Sequence, residues 1–387
     1  MKNPTARGVA YEVVRRVFEE DAYADRALRS LAVGLDERDR AFAMQLAYGT
    51  VQRVRPIDHA IETLGRRPPR KLDPPVRAAL RLGAYQLGYL GSVPAHAAAN
   101  ESVELVRDAG LERAVAFTNA VMRRLGEGIT DLLAGLNEDT AAAAALKHSY
   151  PDWVAEAWWR EFGPGDALAL MRAQNEPPER VLREPTGGLL APWPQSRGSQ
   201  LAGAAVGARP GERILDLCAA PGGKATQLVA AGADVVAVEK HPGRARELKE
   251  NAARLGAPLR VVNADALELP DELTGFDRVL VDAPCSGLGV LNSRPDLRWR
   301  ATPLPELQLD LLRVATERVR AGGSITYSVC TLHRLENEDV ADALALPSEA
   351  LGAEFPDFRH PRRPEFLLTL PHVHGTSGFF VARLRRP

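Results

Sequence analysis

The half of the chain after Arg213 alternates short apolar runs with helical segments, and this alternation is the strongest constraint on the fold. The apolar runs have the length of strands, and the segments between them have helical spacing. The predicted strands are 214–217, 234–239, 259–262, 277–281, 324–328 and 378–384, and the predicted helices are 224–231, 244–255 and 304–319. This pattern predicts a doubly wound, Rossmann-like α/β fold with a parallel sheet, which binds its ligand where the strand order reverses.

Two of the three cysteines follow predicted strands. Cys285 comes after the run that ends at Asp282, and Cys330 comes directly after Tyr-Ser-Val. Open α/β folds place their chemistry at this edge of the sheet, so two thiols there indicate covalent catalysis. Because these two and Cys218 form no Cys-x-x-Cys pair, we expect free thiols and no metal site.

The glycine turn in segment 214–224 indicates the type of ligand. It has neither the Gly-x-Gly-x-x-Gly spacing of dinucleotide folds nor the Gly-Lys-Ser/Thr of a P-loop. A ligand without phosphates fits better: Asp216 would accept from an ammonium group, Glu239 from two ribose hydroxyls and Asp265 from an adenine amino group. A single strand-end acid is often only a helix cap, but three at successive strand ends favour S-adenosylmethionine.

The two thiols then suggest methyl transfer to a pyrimidine ring. C5 of cytosine becomes nucleophilic only after a nucleophile adds to C6, and a thiolate tuned by a neighbour such as Lys224 suits that step. Asp282 is placed to bond the N3 edge of the base. The run Asp282-Ala-Pro-Cys285 carries a cysteine where amino-group methyltransferases carry an aromatic ring, which favours the ring carbon over exocyclic nitrogen.

The first half of the chain, residues 5–125, has helical spacing throughout and carries no obvious catalytic group. The formal net charge of the chain is only -1, but one stretch is basic. That stretch is either a solvated face, which is the commoner case, or a surface for a polyanion. Its basic residues are Arg53, Arg55, Arg66, Arg67, Arg70, Lys71, Arg77 and Arg81.

Composition and length predict a multidomain cytosolic protein. No apolar run has the length of a membrane span, and the N-terminus has no apolar signal-peptide region, so we expect no membrane partner. Proline and glycine residues between 177 and 209 place the main boundary there. We predict a helical domain at 1–128, a helical connector at 129–200 and the α/β domain at 201–387, in a monomer.

Several motifs together resemble a known family. Segments 216–224, 282–287, 294–296, 327–331, 336–338 and 378–383 resemble the RNA cytosine-C5 methyltransferases of the Sun/Fmu/RsmB type. Segments 39–43, 48–51, 80–87, 93–96 and 118–124 resemble the NusB-like, all-α RNA-binding domain that is fused to them. The resemblance covers nearly the whole chain.

The resemblance implies a role for each matching residue. Cys330 would be the nucleophile and Cys285 would assist release of the product, with Asp282 and Lys224 completing the catalytic set. The binding site for S-adenosylmethionine would be lined by Asp216, Cys218, Ala219, Ala220, Pro221, Gly222, Gly223, Lys224, Glu239, Arg244, Asp265 and Asp282.

The chain departs from the family pattern at four places. Glu239 stands where Asp is usual, Val329 where Thr is usual and Ser196 where Asp is usual. The stretch 183–195 is much shorter than in relatives, which carry a small accessory RNA-binding subdomain there. The cofactor site is therefore expected to be intact, whereas RNA affinity and target choice stay open.

We expect the chain to methylate C5 of a cytosine in RNA, in small-subunit ribosomal RNA by resemblance. The base must leave its stack to react, so an unstacked or loop cytosine is the expected substrate. Transfer RNA and large-subunit ribosomal RNA are the alternatives. A non-catalytic RNA-binding or assembly factor is a further alternative, against which the presence of both cysteines, Asp282 and Lys224 argues.

Overall fold

The computed structural model describes residues 4–91 and 93–387, which divide into two compact units. The helical unit contains the described residues up to Asn175 together with Leu291–Arg300, and the sheet unit contains Glu176–Val290 and Ala301–Pro387. The three domains predicted from the sequence, with limits at residues 128 and 200, stay a prediction. Among the described residues, no helix is long and apolar enough to cross a membrane.

The helical unit confirms the helices expected from the spacing of apolar residues. In the first helix, four valines (Val9, Val13, Val14 and Val17) share one buried face, and the Thr5 hydroxyl accepts from Gly8 N at the start. The described helices before residue 175 are Ala6–Glu19, Ala24–Leu31, Glu37–Gln52, Val54–Gly65, Pro74–Tyr89, Ala95–Asp108, Glu112–Ala134, Ala141–His148 and Asp152–Ala173, with a 3-10 turn at Pro69–Lys71.

The segment Leu291–Arg300, which lies within the α/β half of the sequence, completes the helical unit. The Arg298 side chain is fully buried, and its guanidinium lies 4.4 Å from the ring centre of Tyr150. Its Nη1 donates to three oxygen atoms: Gln52 O at 3.2 Å, Ser149 O at 3.0 Å and Asn175 Oδ1 at 3.1 Å. Trp299 Nε1 donates to Val51 O at 2.7 Å.

The sheet unit is built on a mixed, mostly parallel sheet of seven strands, which a two-stranded antiparallel pair precedes. The pair is β1 (Leu182–Arg183) and β2 (Trp193–Pro194), and the strands of the sheet are β3 (Arg213–Asp216), β4 (Asp234–Val238), β5 (Arg260–Val262), β6 (Phe276–Asp282), β7 (Val319–Val329), β8 (Leu367–Thr369) and β9 (Phe379–Arg385). Their order in the sheet is β5-β4-β3-β6-β7-β9-β8, in which the first five are parallel and β9 runs antiparallel to both β7 and β8.

The strand order reverses at β3, because β4 and β6 lie on either side of it. This is the predicted doubly wound, Rossmann-like arrangement, and folds of this kind bind their ligand beyond the carboxyl ends of the strands where the order reverses. Helices connect the strands, and their bounds in this unit are Arg197–Ala204, Gly223–Ala230, Pro242–Leu255, Pro305–Arg318, Glu338–Ala343, Leu351–Glu354 and Pro371–His374.

Candidate active site

The parallel strands bring most of the predicted site residues to one edge of the sheet. Asp216 ends β3, Asp282 ends β6, Glu239 follows β4 and Cys330 follows β7. Asp282 lies opposite Ser328 in the register of β6 and β7, and the Ser328 hydroxyl donates to Asp282 Oδ1 at 2.6 Å. The carboxyl ends of parallel strands meet at the same edge, so the sequence order of the strands places these groups together.

The glycine turn between β3 and the helix Gly223–Ala230 requires small residues. Gly222 has φ +110, a backbone conformation that residues with a Cβ atom rarely adopt, so a larger residue would be strained there. The turn is held from the next helix, where Arg244 Nη2 donates to Ala220 O at 2.8 Å and Asn251 Nδ2 donates to Pro221 O at 3.0 Å. The backbone of the turn is therefore fixed beside the carboxyl end of β3.

Asp216, at the end of β3, has only one of its two carboxylate oxygens in a hydrogen bond, which Cys218 N donates to Oδ1 at 3.4 Å. Its side chain is buried, and its Oδ2 has no hydrogen-bond partner among the described residues. Burial, together with the negative charge of Asp282, raises the pKa of Asp216 to about 7. A buried acid of this kind is suited to a cationic ligand.

Glu239 and Asp265 are already engaged by neighbouring groups. Glu239 Oε1 accepts from His241 N at 2.8 Å, and Arg244 Nη1 lies 3.5 Å from Glu239 Oε2. The Lys240 ammonium lies 2.6 Å from Asp265 Oδ2 and lowers the pKa of Asp265. Asp265 also accepts from Leu267 N at 3.1 Å, the backbone-capping role that strand-end acids often have.

Lys224 and Asp282 form an ion pair next to the thiols. Lys224 Nζ lies 2.8 Å from Asp282 Oδ2 and 4.9 Å from the centre of the Phe379 ring. The Asp282 carboxylate thus has one oxygen on an ammonium and the other on the Ser328 hydroxyl. The pair therefore places a carboxylate and an ammonium group, the two kinds of group used in acid–base catalysis, beside the thiols.

The two strand-end cysteines are in contact, with Cys285 Sγ and Cys330 Sγ 3.5 Å apart. The thiol hydrogen bond from Cys285 lowers the pKa of Cys330, and the positive charge of Lys224 acts in the same direction. The bond to Cys330, together with burial, raises the pKa of Cys285 well above its ordinary value. Cys330 is therefore the better thiolate of the pair.

Cys218 has a different environment from the other two cysteines. Burial and the negative charge of Asp216 raise the pKa of the Cys218 thiol, so it stays protonated and unreactive. Within the described ranges, no three His, Cys, Asp or Glu side chains are arranged to hold a metal ion.

Comparison with known proteins agrees with this geometry. Residues 204–385 match the family model described as 16S rRNA methyltransferase RsmB/F, and residues 4–127 match that of the NusB family. The chain is 30% identical to the probable ribosomal RNA small subunit methyltransferase B of Bacillus subtilis, with 100% of both chains covered. The chain belongs to the RsmB/F methyltransferase family. Ribosomal RNA small subunit methyltransferase B of Thermus thermophilus is 35% identical, with 100% of this chain and 99% of the relative covered.

Membership in the RsmB/F family confirms the predicted enzyme class, an RNA cytosine-C5 methyltransferase, and the NusB-like nature of the first half. A solved structure described as PH0851 shares the fold, with a TM-score of 0.80, 21% identity and 100% coverage of both chains. The alignment with the Bacillus subtilis relative spans 450 positions, more than the 387 residues of this chain. This RsmB/F chain therefore lacks residues that the relative has.

Three residues of the site carried no predicted role: Ser328, Phe379 and Glu336. Ser328 and Phe379 contact the Asp282–Lys224 pair, and Glu336 lies behind the cysteines. All three fall inside the segments that resemble the RsmB/F family, so the motifs contained a signal that the chemistry of the thiols did not use.

Proposed function

We propose that the chain transfers a methyl group to C5 of a cytosine in small-subunit ribosomal RNA, with S-adenosylmethionine as the donor. The observation that carries this proposal is the pair of thiols 3.5 Å apart at the sheet edge, beside the Lys224–Asp282 pair. A thiolate that adds to C6 makes C5 nucleophilic, which a single buried cysteine in an apolar site would not do. The names of the Bacillus and Thermus relatives support the choice of RNA.

The cofactor site fits the chemistry of S-adenosylmethionine. The unpartnered Asp216 Oδ2 matches an amino-acid ammonium, and the carboxylate of Glu239 matches a pair of ribose hydroxyls. The turn of small residues suits a ligand without phosphates, and Arg244 holds the turn in place. Its residues are Cys218, Ala219, Ala220, Pro221, Gly222 and Gly223. Asp265 would turn from Lys240 toward the adenine amino group. When bound, the cofactor supplies the methyl group.

Each catalytic residue has a separate task in this proposal. The Cys330 thiolate adds to C6, and the electron pair of the C5–C6 double bond becomes available at C5. Asp282, with Lys224 beside it, holds the N3 edge and moves a proton there as the ring charge changes. Once C5 carries the methyl group, a base takes the C5 proton, the C5–C6 double bond re-forms and the C6–sulfur bond breaks, which releases Cys330 as a thiolate. Cys285 assists this step.

The wider assignments follow from the same proposal. The NusB-like part at 1–128 would bind RNA, the connector at 129–200 would carry the shortened accessory segment and 201–387 would be the methyltransferase domain. The enzyme would act in the cytoplasm as a monomer on a cytosine that has left its stack.

A methyl-incorporation assay tests the function. Small-subunit RNA, large-subunit RNA and transfer RNA are each incubated with the protein and methyl-labelled S-adenosylmethionine, and bisulfite sequencing locates the product. We expect label at a cytosine of the small-subunit RNA. Label only in another RNA would change the substrate, and no label in any RNA would support an assembly factor.

Substitution of each cysteine separates the two thiols. We expect Cys330→Ala to abolish methylation and to give no protein-linked RNA, because the bond to C6 does not form. Cys285→Ala should still permit attack and methyl transfer but stall elimination, so an adduct stable to denaturant accumulates on a denaturing gel. An adduct in Cys330→Ala and none in Cys285→Ala would reverse the two roles, whereas ordinary turnover in Cys285→Ala would make it a space-filling residue.

A further inference from the structure

Glu336 is a fully buried carboxylate behind the two cysteines. Its Oε1 accepts three hydrogen bonds, from Ser286 N at 2.9 Å, Gln308 Nε2 at 2.9 Å and Leu304 N at 3.1 Å. Its Oε2 accepts from the Ser286 hydroxyl. All of these donors are neutral, and together they hold the carboxylate in place beside the two thiols.

Glu336 holds the two cysteine-bearing loops together through this network. Ser286 follows Cys285 directly, and its hydroxyl lies 2.7 Å from the hydroxyl of Thr331, which follows Cys330 directly. The carboxylate therefore anchors the Cys285 loop at both the backbone and the side chain of Ser286, and it reaches the Cys330 loop through one further hydroxyl. Gln308 Nε2 adds a bond to Pro284 O at 2.9 Å, on the other side of Cys285.

The charges around the thiol pair are distributed unevenly. The negative charge of Glu336 raises the pKa of Cys285, whereas the positive charge of Lys224 lowers the pKa of Cys330. At Cys330 the negative charge of Asp282 has a larger effect on the pKa than Lys224 and raises it, and the Tyr327 hydroxyl donates to Glu336 O at 2.5 Å. The hydrogen bond between the two sulfur atoms is the largest cause of both shifts, since it lowers the pKa of Cys330 and raises the pKa of Cys285. The charge of Glu336 adds to the second effect, so a proton shared by the pair is favoured on Cys285.

We propose that Glu336 is a positioning residue that keeps the shared proton on Cys285 and so leaves Cys330 as the thiolate. Its two bonds to Ser286 act directly on the Cys285 loop, whereas it reaches the Cys330 loop only through the Thr331 hydroxyl. This inference rests on the proposed roles of the two cysteines, but the state of the thiols is measurable without RNA or cofactor. The two proposals can therefore fail separately.

The test is alkylation of the full chain by iodoacetamide at low extent, with each cysteine quantified by mass spectrometry across pH. In the wild type, Cys330 should react at lower pH than Cys285. Glu336→Gln, which removes the charge and keeps the size, should lower the ratio of Cys330 to Cys285 modification about tenfold, the effect of one pH unit on a thiolate fraction. An unchanged ratio in folded Glu336→Gln would overturn the proposal, because loosened packing alone exposes both thiols together.

Glu338→Gln is the matched control. Glu338 is also a buried carboxylate, but its partner is His360 Nε2 at 2.8 Å, so the ratio should stay at the wild-type value.

If Glu336→Gln does not fold, the alkylation profiles of the wild type decide. Separated curves in which Cys330 reacts at lower pH support the proposal, and coincident curves overturn it. In a methylation assay, Glu336→Gln should lower kcat about tenfold with little change in the KM for RNA. Absence of methylation by the wild type would contradict the proposed function but would not affect the conclusion from the alkylation experiment.

Discussion

Asp216 has one carboxylate oxygen without a partner among the described residues, and its pKa is raised to about 7 by burial. Because Asp216 binds its proton more tightly in the native state, the folded protein loses stability as the pH rises from the ordinary pKa of the group, 3.8, to its raised pKa of about 7. A cationic ligand reverses that cost, because it stabilises the ionised form. Asp216 therefore couples ligand binding to pH.

We predict that the demethylated cofactor product, S-adenosylhomocysteine, binds more weakly as the pH falls below 7. Protonation of Asp216 removes the charge that holds the ammonium group, so the Kd should rise up to tenfold for each pH unit below about 7. Calorimetry between pH 5.5 and 8 measures this. Asp216→Asn should bind weakly with no pH dependence, and a flat wild-type profile would mean that Asp216 does not hold the ammonium.

The sequence predicted that both thiols lie at one edge of the sheet and that Lys224 tunes the nucleophile, but it gave Glu336 no role. Cys285 and Cys330 follow neighbouring strands, and the geometry of parallel strands brings such positions together. The hydrogen bonds between Glu336 and Ser286 depend on how two loops pack, and the two residues are 50 positions apart in the chain. Strand pattern carries no information about that packing, so it predicts no role for Glu336 even though the residue lies in segment 336–338 of the family motifs.

At the scale of elements, each strand predicted in the α/β half exists, with limits that differ by a few residues. The alternation of apolar runs and helices was sufficient for β3 to β7, because buried parallel strands are continuous apolar runs. Strand β8 was missed, since its three residues Leu367–Thr369 are too short to show a period. The antiparallel direction of β9 also carried no local signal, because direction depends on the connection.

The segment Leu291–Arg300 gives a prediction at the same scale. Arg298→Ala removes the contact with Tyr150 and leaves buried carbonyl groups of Gln52 and Ser149 without their donor. We expect the helical unit to lose about 3 kcal/mol of unfolding free energy. Hydrogen exchange resolved by peptide measures this unit separately. Arg313→Ala, at an exposed position of the sheet unit, is the control and should change stability by less than about 0.5 kcal/mol.

Equal exchange of the helical peptides in Arg298→Ala and wild type would mean that water satisfies the freed carbonyl groups. Arg298→Lys gives an intermediate case. Lysine keeps the charge but lacks the planar fork that serves several acceptors, so we expect part of the loss to remain.

For the whole molecule, the basic stretch is less positive than its composition suggests. Three of its arginines are paired with acids: Arg55 with Asp152, Arg77 with Glu19 and Arg81 with Asp58. By contrast, Arg66, Arg70 and Lys71 are exposed around the 3-10 turn Pro69–Lys71. The solvated-face and polyanion interpretations therefore apply to different parts of the same stretch.

We predict that Arg66 and Arg70 contact RNA phosphates. The double variant Arg66→Gln with Arg70→Gln should weaken RNA binding and flatten its salt dependence by about 0.7 per lost contact on single-stranded RNA. Binding is measured by fluorescence anisotropy at several salt concentrations. Lys249→Gln with Arg313→Gln removes the same charge from exposed positions of the sheet unit. Equal slopes in both double variants would assign the stretch to a solvated face.

The insertion of Leu291–Arg300 into the helical unit has a consequence for synthesis on the ribosome. At usual translation rates, the residues up to Asn175 emerge on the order of ten seconds before Arg298 does, and during that time the acceptors of its guanidinium face water or chaperones. Substitutions at Arg298 should therefore reduce the yield of protein in cells more than they reduce the activity of each molecule that has matured.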